Sequence, residues 1–281
     1  MTQPQSTLRE KPVSPDLYTE EYFKTACEGY NEYLSSEGQQ LSRRLNAAFH
    51  LAKVEPGMRV LDVGCGRGEI LLHCAKLGAD VFGIDYAPVA VKLSRELLEK
   101  SGAAANAQTG LLQADAKRLP FPSHYFDRVL MFDVVEHLHP WELHEAMLET
   151  RRVLKPDGRF IIHTAPNIWY DRYAYPLVRL FRRITGKGAL YPKNPRAFLV
   201  DHNQDVHVNE QSWWSMKTAL QKAGFQGKVW LDSPPQHRQE NVLLANLRRI
   251  LFGLPPMRWF FQREVFAVAA PVSNTGERQP E

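Results

Sequence analysis

Three aspartates, Asp62, Asp85 and Asp115, each close a short β-rich run: Val60-Leu61, then Val81-Phe82-Gly83-Ile84, then Leu111-Leu112-Gln113-Ala114. Ligands of open α/β sheets bind at the carboxyl ends of the strands. Three acids at three successive strand ends therefore describe one pocket, although any single one could simply cap a turn. After Asp62 comes Gly64-Cys65-Gly66-Arg67-Gly68, and then the helical apolar pattern Ile70, Leu71, Cys74, Leu77. The glycines let the backbone turn sharply and a ligand come close. Asp85 lies 17 residues after Gly68, near the roughly 20 at which an acid meets ribose hydroxyls. A carboxylate at Asp115 can in turn accept an adenine amino group. A dinucleotide site would bring pyrophosphate to the helix start and place a small residue at position 69. Glu69 stands there instead, and its charge opposes phosphate. A nucleoside that carries no phosphate tolerates all of these acids.

Chemistry at such a pocket needs groups that hold or move protons. Asp133, Glu136 and His137 follow the run Val129 to Phe132, and His163, His202 and His207 come later. His207, His202 and His137 are the candidate general bases. Asp201 and Asp205 neighbour His202 and His207 and can raise their basicity; surface loop charge is the competing account. For His137 the competing account is a helix-start residue bonded locally. His163 stands beside Ile161 and Ile162, where core packing is expected. The acids and imidazole of 133–137 suit Mg²⁺ or Mn²⁺ only in part, and no metal is expected.

These residues can meet only if regular elements bring them together. Short β-rich runs near 59–63, 80–84, 109–113, 126–132 and 158–164 alternate with helical patterns near 67–77, 87–100 and 140–154, as βαβ units and a parallel sheet require. Pro88 and Pro140 sit near helix starts, where a missing N–H costs little. After Pro166 the alternation lapses for about forty residues, longer than an ordinary connection. It resumes with a helix near 210–223, a strand near 225–231, a helix near 241–252 and a last strand near 260–269. Upstream, Tyr22, Phe23, Ala26 and Tyr30 fall at helical spacing, as do Leu41, Leu45, Ala48, Phe49 and Ala52. Such helices would lie across the mouth of the sheet.

A chain of 281 residues with 44% apolar content has room for the core of one α/β domain plus a modest insertion. A charge of +4 and a pI near 8.9 are only mildly basic, and no run resembles a nucleic-acid arm. Cys27, Cys65 and Cys74 form no CxxC pair and read as thiols of a reducing cytoplasm. No apolar run approaches the roughly 20 residues of a membrane span, and the first residues lack the apolar stretch of a signal peptide. The expected division is a disordered 1–16, N-terminal helices over 17–56, one domain over 57–272 with an insertion at about 168–206, and a disordered tail over 273–281.

The runs VLDVGCGRG at 60–68, GID at 83–85, QADAKRLPF at 113–121, FDRVLMFDVVEHL at 126–138 and RVLKPDGRFIIHTAPN at 152–167 resemble the class I S-adenosylmethionine-dependent methyltransferases, in particular the type 11 small-molecule branch. The likeness is close over 60–170 and looser over 207–225. It implies a Rossmann-like, mostly parallel α/β sheet of seven strands with the last antiparallel, and S-adenosyl-L-methionine as cofactor. It also implies that Asp62, Gly64, Cys65 and Gly66 surround the methionine part and that Asp85 binds the ribose. Asp115 and the backbone at Ala116 would hold the adenine, with Tyr86 and Phe132 flanking the cofactor. The segment Asp133 to His137 is similar to that of quinone-biosynthesis O-methyltransferases, some of which hold a divalent metal there. The polar-Pro-Pro-aromatic signature of DNA amino-methyltransferases is absent at Phe132-Asp133-Val134-Val135, which disfavours DNA as a partner.

From Arg172 to Val200 there are seven basic residues and no acidic one. Leu177, Leu180, Phe181 and Ile184 share one helical face, with Arg179, Arg182 and Arg183 elsewhere. A similar piece has Leu243, Leu247, Ile250 and Leu251, followed by Arg258 and Trp259. Either these form a lid with its apolar face packed inward and its arginines solvated, or they meet an anionic membrane as peripheral contacts or guide a lipid-like acceptor. The preferred function is O-methylation of a small or lipid-like hydroxylated acceptor. N- or C-methylation, RNA methylation and a cofactor-binding protein without turnover remain the alternatives.

Overall fold

In a computed structural model of the chain, residues 9–102, 108–186, 188–195, 203–232, 242–243, 246, 249 and 253–272 are described. His202, the expected tail at 273–281, most of the expected disordered start and much of the 241–252 helix lie outside them.

Seven strands form one sheet: β1 (Arg59–Val63), β2 (Asp80–Asp85), β3 (Thr109–Gln113), β4 (Phe126–Phe132), β5 (Leu154–Thr164), β6 (Phe225–Asp232) and β7 (Glu264–Pro271). Their order is β3-β2-β1-β4-β5-β7-β6. β1 to β5 run parallel, and β7 is antiparallel to both β5 and β6. This is the Rossmann-like sheet expected from the sequence.

Strand alternation sorts the core into two layers. Leu61, Val129, Met131, Phe160, Ile162 and Val265 pack on one face, covered by α6 (Pro140–Val153) and α9 (Trp213–Lys222). Val60, Leu130, Ile161 and Phe266 pack on the other, covered by α3 (Arg43–Ala52), α4 (Glu69–Lys76) and α5 (Pro88–Ser101). The side chains of Asp62, His163 and Glu264 fall on this second face by the same parity. α3 starts where the Ser42 hydroxyl accepts the Leu45 N–H at 3.3 Å, satisfying an otherwise orphan donor.

Two expected elements are corrected. The pattern from Tyr22 to Tyr30 is not one helix but α1 (Glu20–Thr25) and α2 (Tyr30–Ser36). Gly29, at φ +84°, stands between them in a conformation that ends a right-handed helix. The last strand begins at Glu264 rather than 260, because Met257–Phe261 is helical and follows Pro255-Pro256, residues tolerated at a helix start.

The insertion opens with a π-helical turn, Tyr170–Ala174, that runs into α7 (Tyr175–Ile184). It ends at α8 (Asn203–Val206). Val206 is buried with Tyr22, Phe23, Ala87 and Ala90, so the end of the insertion and the N-terminal helices pack together above α5.

Candidate functional site

A cleft of about 2500 Å³ opens at the carboxyl ends of the strands, with Asp62, Gly64, Asp85, Asp115, Phe132 and His137 in its wall. Gly64 holds φ +78°, and a Cβ there would collide with Val134. The Gly64 and Cys65 N–H groups donate to the Ile84 carbonyl at 2.8 and 3.0 Å, which ties the loop to the end of β2. Cys65 itself is buried beside Ser94, whose hydroxyl is 3.5 Å from its sulfur; its contribution toward the cleft is through its backbone.

Asp85 ties the glycine loop to the start of α5. One carboxylate oxygen accepts the Gly66 N–H at 3.0 Å and the other the Ala87 N–H at 2.9 Å. Burial pushes its pKa up to about 6, against those backbone bonds, which pull it down. Asp62 is 3% exposed. Burial first, then the charges of Asp85 and Glu69, push it up to about 8. Among the described residues no cation acts on it, so a buried carboxyl faces the cleft in want of a positive charge. That suits the ammonium of a bound amino-acid tail, and the cradle as a whole fits a nucleoside with such a tail.

Asp115 accepts the Lys117 N–H at 2.9 Å and the Lys117 ammonium at 2.8 Å. The same ammonium reaches Glu142 at 2.7 Å and lies 6.0 Å from the Tyr86 ring centre. Tyr86, Asp115, Ala116 and Phe132 all line the cleft, as do the other cofactor residues named from the sequence.

At the end of β4 the backbone turns through Asp133, whose φ is +53°. Only the backbone N–H of His137 bonds locally, to the Val134 carbonyl at 2.9 Å; the side chain reaches farther. Its Nδ1 lies 3.1 Å from the Val206 carbonyl, and its ring packs edge-on to Tyr18 and His207 at 5.6 and 4.9 Å between centres. Burial pulls its pKa down to about 4, so the ring is neutral near pH 7. The Val206 carbonyl then places the proton on Nδ1 and leaves Nε2 as the acceptor. His207 has its Nδ1 3.9 Å from Glu210. The Glu136 carboxylate accepts the Thr164 hydroxyl at 2.7 Å, and burial raises its pKa to about 8. Ligand atoms of Glu136, His137 and His207 all lie within 4.8 Å of one another, close enough for one divalent ion to bridge.

His163, expected only as a packed residue, carries an ionic network. It is fully buried, with Nδ1 2.9 Å from Asp133 and Nε2 3.3 Å from Glu264. Desolvation opposes its charge, but those two carboxylates outweigh it and raise its pKa to about 9. Arg44 bridges Asp133 at 3.4 Å and Glu28 at 2.6 Å. Arg67 is also buried: it pairs with Glu69 at 2.7 Å and donates to the carbonyls of Phe23 at 2.6 Å and Glu28 at 2.8 Å. Sequence spacing offered no signal for Arg44, Glu28 or Glu264. Of Tyr18 and Tyr22, which also line the cleft, Tyr22 was legible only as part of a helical pattern and Tyr18 gave no signal of a site.

A family model described as a methyltransferase domain matches residues 61–162. The ubiquinone/menaquinone biosynthesis C-methyltransferase UbiE of Azotobacter vinelandii is 32% identical over 206 residues, which is 70% of this chain and 76% of that protein. The sterol 4-C-methyltransferase of Caenorhabditis elegans is 30% identical over 131 residues, 45% of this chain and 38% of that protein. Among solved structures, the putative methyltransferase of Haloferax volcanii in complex with the Trm112 activator aligns with a TM-score of 0.57 at 17% identity. That alignment covers 91% of this chain and 99% of the other, a likeness of fold.

Proposed function

Because the chain belongs to the class I S-adenosylmethionine-dependent methyltransferases, we propose that it methylates a hydroxylated, lipid-like acceptor at oxygen. The observation that carries this is the continuity of the cleft. The acids at the tips of β1 and β2 share one wall with His137 and with Leu177, Phe181 and Leu254, so a polar acceptor head can sit at the strand ends while an apolar tail runs toward the insertion. When bound, S-adenosyl-L-methionine supplies an electrophilic methyl group on a sulfonium.

Asp62 would receive the ammonium of the amino-acid tail, while Gly64, Gly66 and the Cys65 backbone would allow that tail to lie close. Asp85 would accept the ribose hydroxyls, and Asp115 with Ala116 would hold the adenine. Phe132 and Tyr86 would pack against the cofactor. Tyr18 and Tyr22 cover the cleft and keep out water, which a displacement of this kind needs. His137 takes the acceptor's hydroxyl proton on Nε2, with Nδ1 held by Val206, and His207 fixes the ring from the side.

A second reading has the methyl placed on a ring carbon next to the ionised hydroxyl. It is favoured by the relatives in Azotobacter and Caenorhabditis, both C-methyltransferases. Both readings use the same deprotonation. Incubation with isotope-labelled methyl donor and a panel of hydroxylated aromatic acceptors with isoprenoid tails, followed by NMR of the product, separates them: an oxygen-bound methyl supports the first and a carbon-bound methyl replaces it. With an active acceptor in hand, His137→Gln is expected to lower turnover by about 10²-fold with affinity for S-adenosylhomocysteine kept. Equal turnover would remove His137 as the base.

A further inference from the structure

The amphipathic helix α7 leaves its apolar face open. Leu177, Leu180, Phe181 and Ile184 occupy one face and are 60%, 56%, 60% and 77% exposed. The basic side is the one that is tied down. The Arg179 Nε donates to the Tyr191 carbonyl at 3.0 Å, and the Arg182 guanidinium lies 5.5 Å from the Tyr191 ring centre. Tyr175, at the start of the helix, donates its hydroxyl to the Pro192 carbonyl at 2.9 Å. Among the described residues nothing buries this face, as the inward-packed arrangement would require.

The exposed face continues beyond the helix. The π-helical turn before α7 meets the Met257–Phe261 helix, where Tyr173 packs edge-on to Phe260 at 5.7 Å and Trp169 stacks on it at 5.8 Å. Leu254, Met257 and Trp259 are exposed there. Leu177, Phe181 and Leu254 belong both to this exposed surface and to the cleft wall, so the apolar surface and the mouth of the cleft are continuous.

We propose that this surface, formed by α7 and residues 254–259, docks the protein onto an anionic lipid surface. An apolar face alone would fit any hydrophobic partner. Here the segment from Arg172 to Val200 carries seven basic residues and no acid, which selects a negatively charged partner. Four large apolar side chains projecting from about 15 Å of helix find no apolar layer on a nucleic acid, whereas a bilayer offers acyl chains beneath anionic headgroups. Arg183, exposed at the flank of the apolar face, sits at the depth of those headgroups, its stem along the apolar boundary. Docked in this way, the cleft mouth opens toward the bilayer.

The surface is tested without acceptor or cofactor, so the docking can fail while methyl transfer stands. The full-length protein is sedimented with vesicles of phosphatidylcholine alone or mixed with phosphatidylglycerol. Sedimentation with the mixed vesicles is expected, weakening as salt rises. Leu180→Ser with Ile184→Ser, and separately Arg183→Gln, alter exposed residues outside the cleft wall. The serine pair should abolish sedimentation, and loss of Arg183 should weaken it about fivefold, with the thermal midpoint and S-adenosylhomocysteine affinity unchanged. Three outcomes overturn the proposal: no sedimentation of the wild type at low salt, sedimentation that both variants retain, or light scattering that shows the face pairing two copies of the chain in place of vesicle binding.

Discussion

A carboxyl group buried without a cation keeps its proton until a cation arrives, and Asp62 is such a group. Burial, with Asp85 and Glu69 nearby, holds its pKa at about 8 in the free protein. An ammonium bound against it favours the ionised form and lowers that value. Below pH 8 the free protein must give up a proton before the pair can form, so affinity for an amino-acid-tailed nucleoside falls with falling pH, by at most about tenfold per unit. Calorimetric titration with S-adenosylhomocysteine from about pH 6 to 8 should show Kd rising toward the acid side. Asp62→Asn should weaken binding and flatten the profile. A level wild-type profile would place the ammonium elsewhere.

Elements meet the site through latches as well as through packing, and the one at Arg67 joins the glycine loop to α1 and α2. A helix leaves its last carbonyls without intrahelical partners; here Phe23, in the last turn of α1, and Glu28, in the turn before α2, give theirs to the Arg67 guanidinium. Arg67→Met strands those carbonyls and leaves the buried Glu69 carboxylate without its arginine. Hydrogen exchange is expected to speed up by at least about tenfold in residues 20–36, because a local unit opens before the whole, while β4 keeps its protection. Unchanged exchange in α1 would show that the latch holds nothing. The sheet itself was legible because strand and helix periods differ and each βαβ unit announces both, and the glycine loop and Asp85 were legible because strand, turn and acid follow one another in sequence. The helical period of α7 gave its apolar face but not the direction in which it points. That direction depends on Tyr191 and Pro192, which no spacing rule connects to Arg179. The break at Gly29 was missed because apolar residues continue at helical intervals across it.

At the scale of the whole molecule, the ionic network through Asp133, His163, Glu264 and Arg44 joins β4, β5, β7 and α3 at the wall of the cleft. His163 and Glu264 are 101 positions apart, a pairing that exists only once the antiparallel β7 has docked against β5. Hence His163 looked like a core residue in the sequence. Its folded pKa, about 9, lies above the ordinary value of 6.5, so the charged ring stabilises the fold fully below pH 6.5. That contribution, on the order of a few kcal/mol, is lost as pH rises through 9. The opposing group is Asp133, held well below the usual carboxylate range by Arg44 and His163 against the cost of its burial; its contribution is complete above pH 4 and does not vary in this window. Asp62 and Glu136, raised to about 8 by burial, also favour the acid side, since ionising them in the folded protein costs more than in the unfolded chain. The imidazole's own share is therefore the difference between two curves. Thermal midpoints from pH 6 to 10 should fall for the wild type, and His163→Gln should start lower and fall less steeply between about pH 6.5 and 9. If the two proteins trace parallel curves, the ring is uncharged in the folded state and the network is held by hydrogen bonds alone.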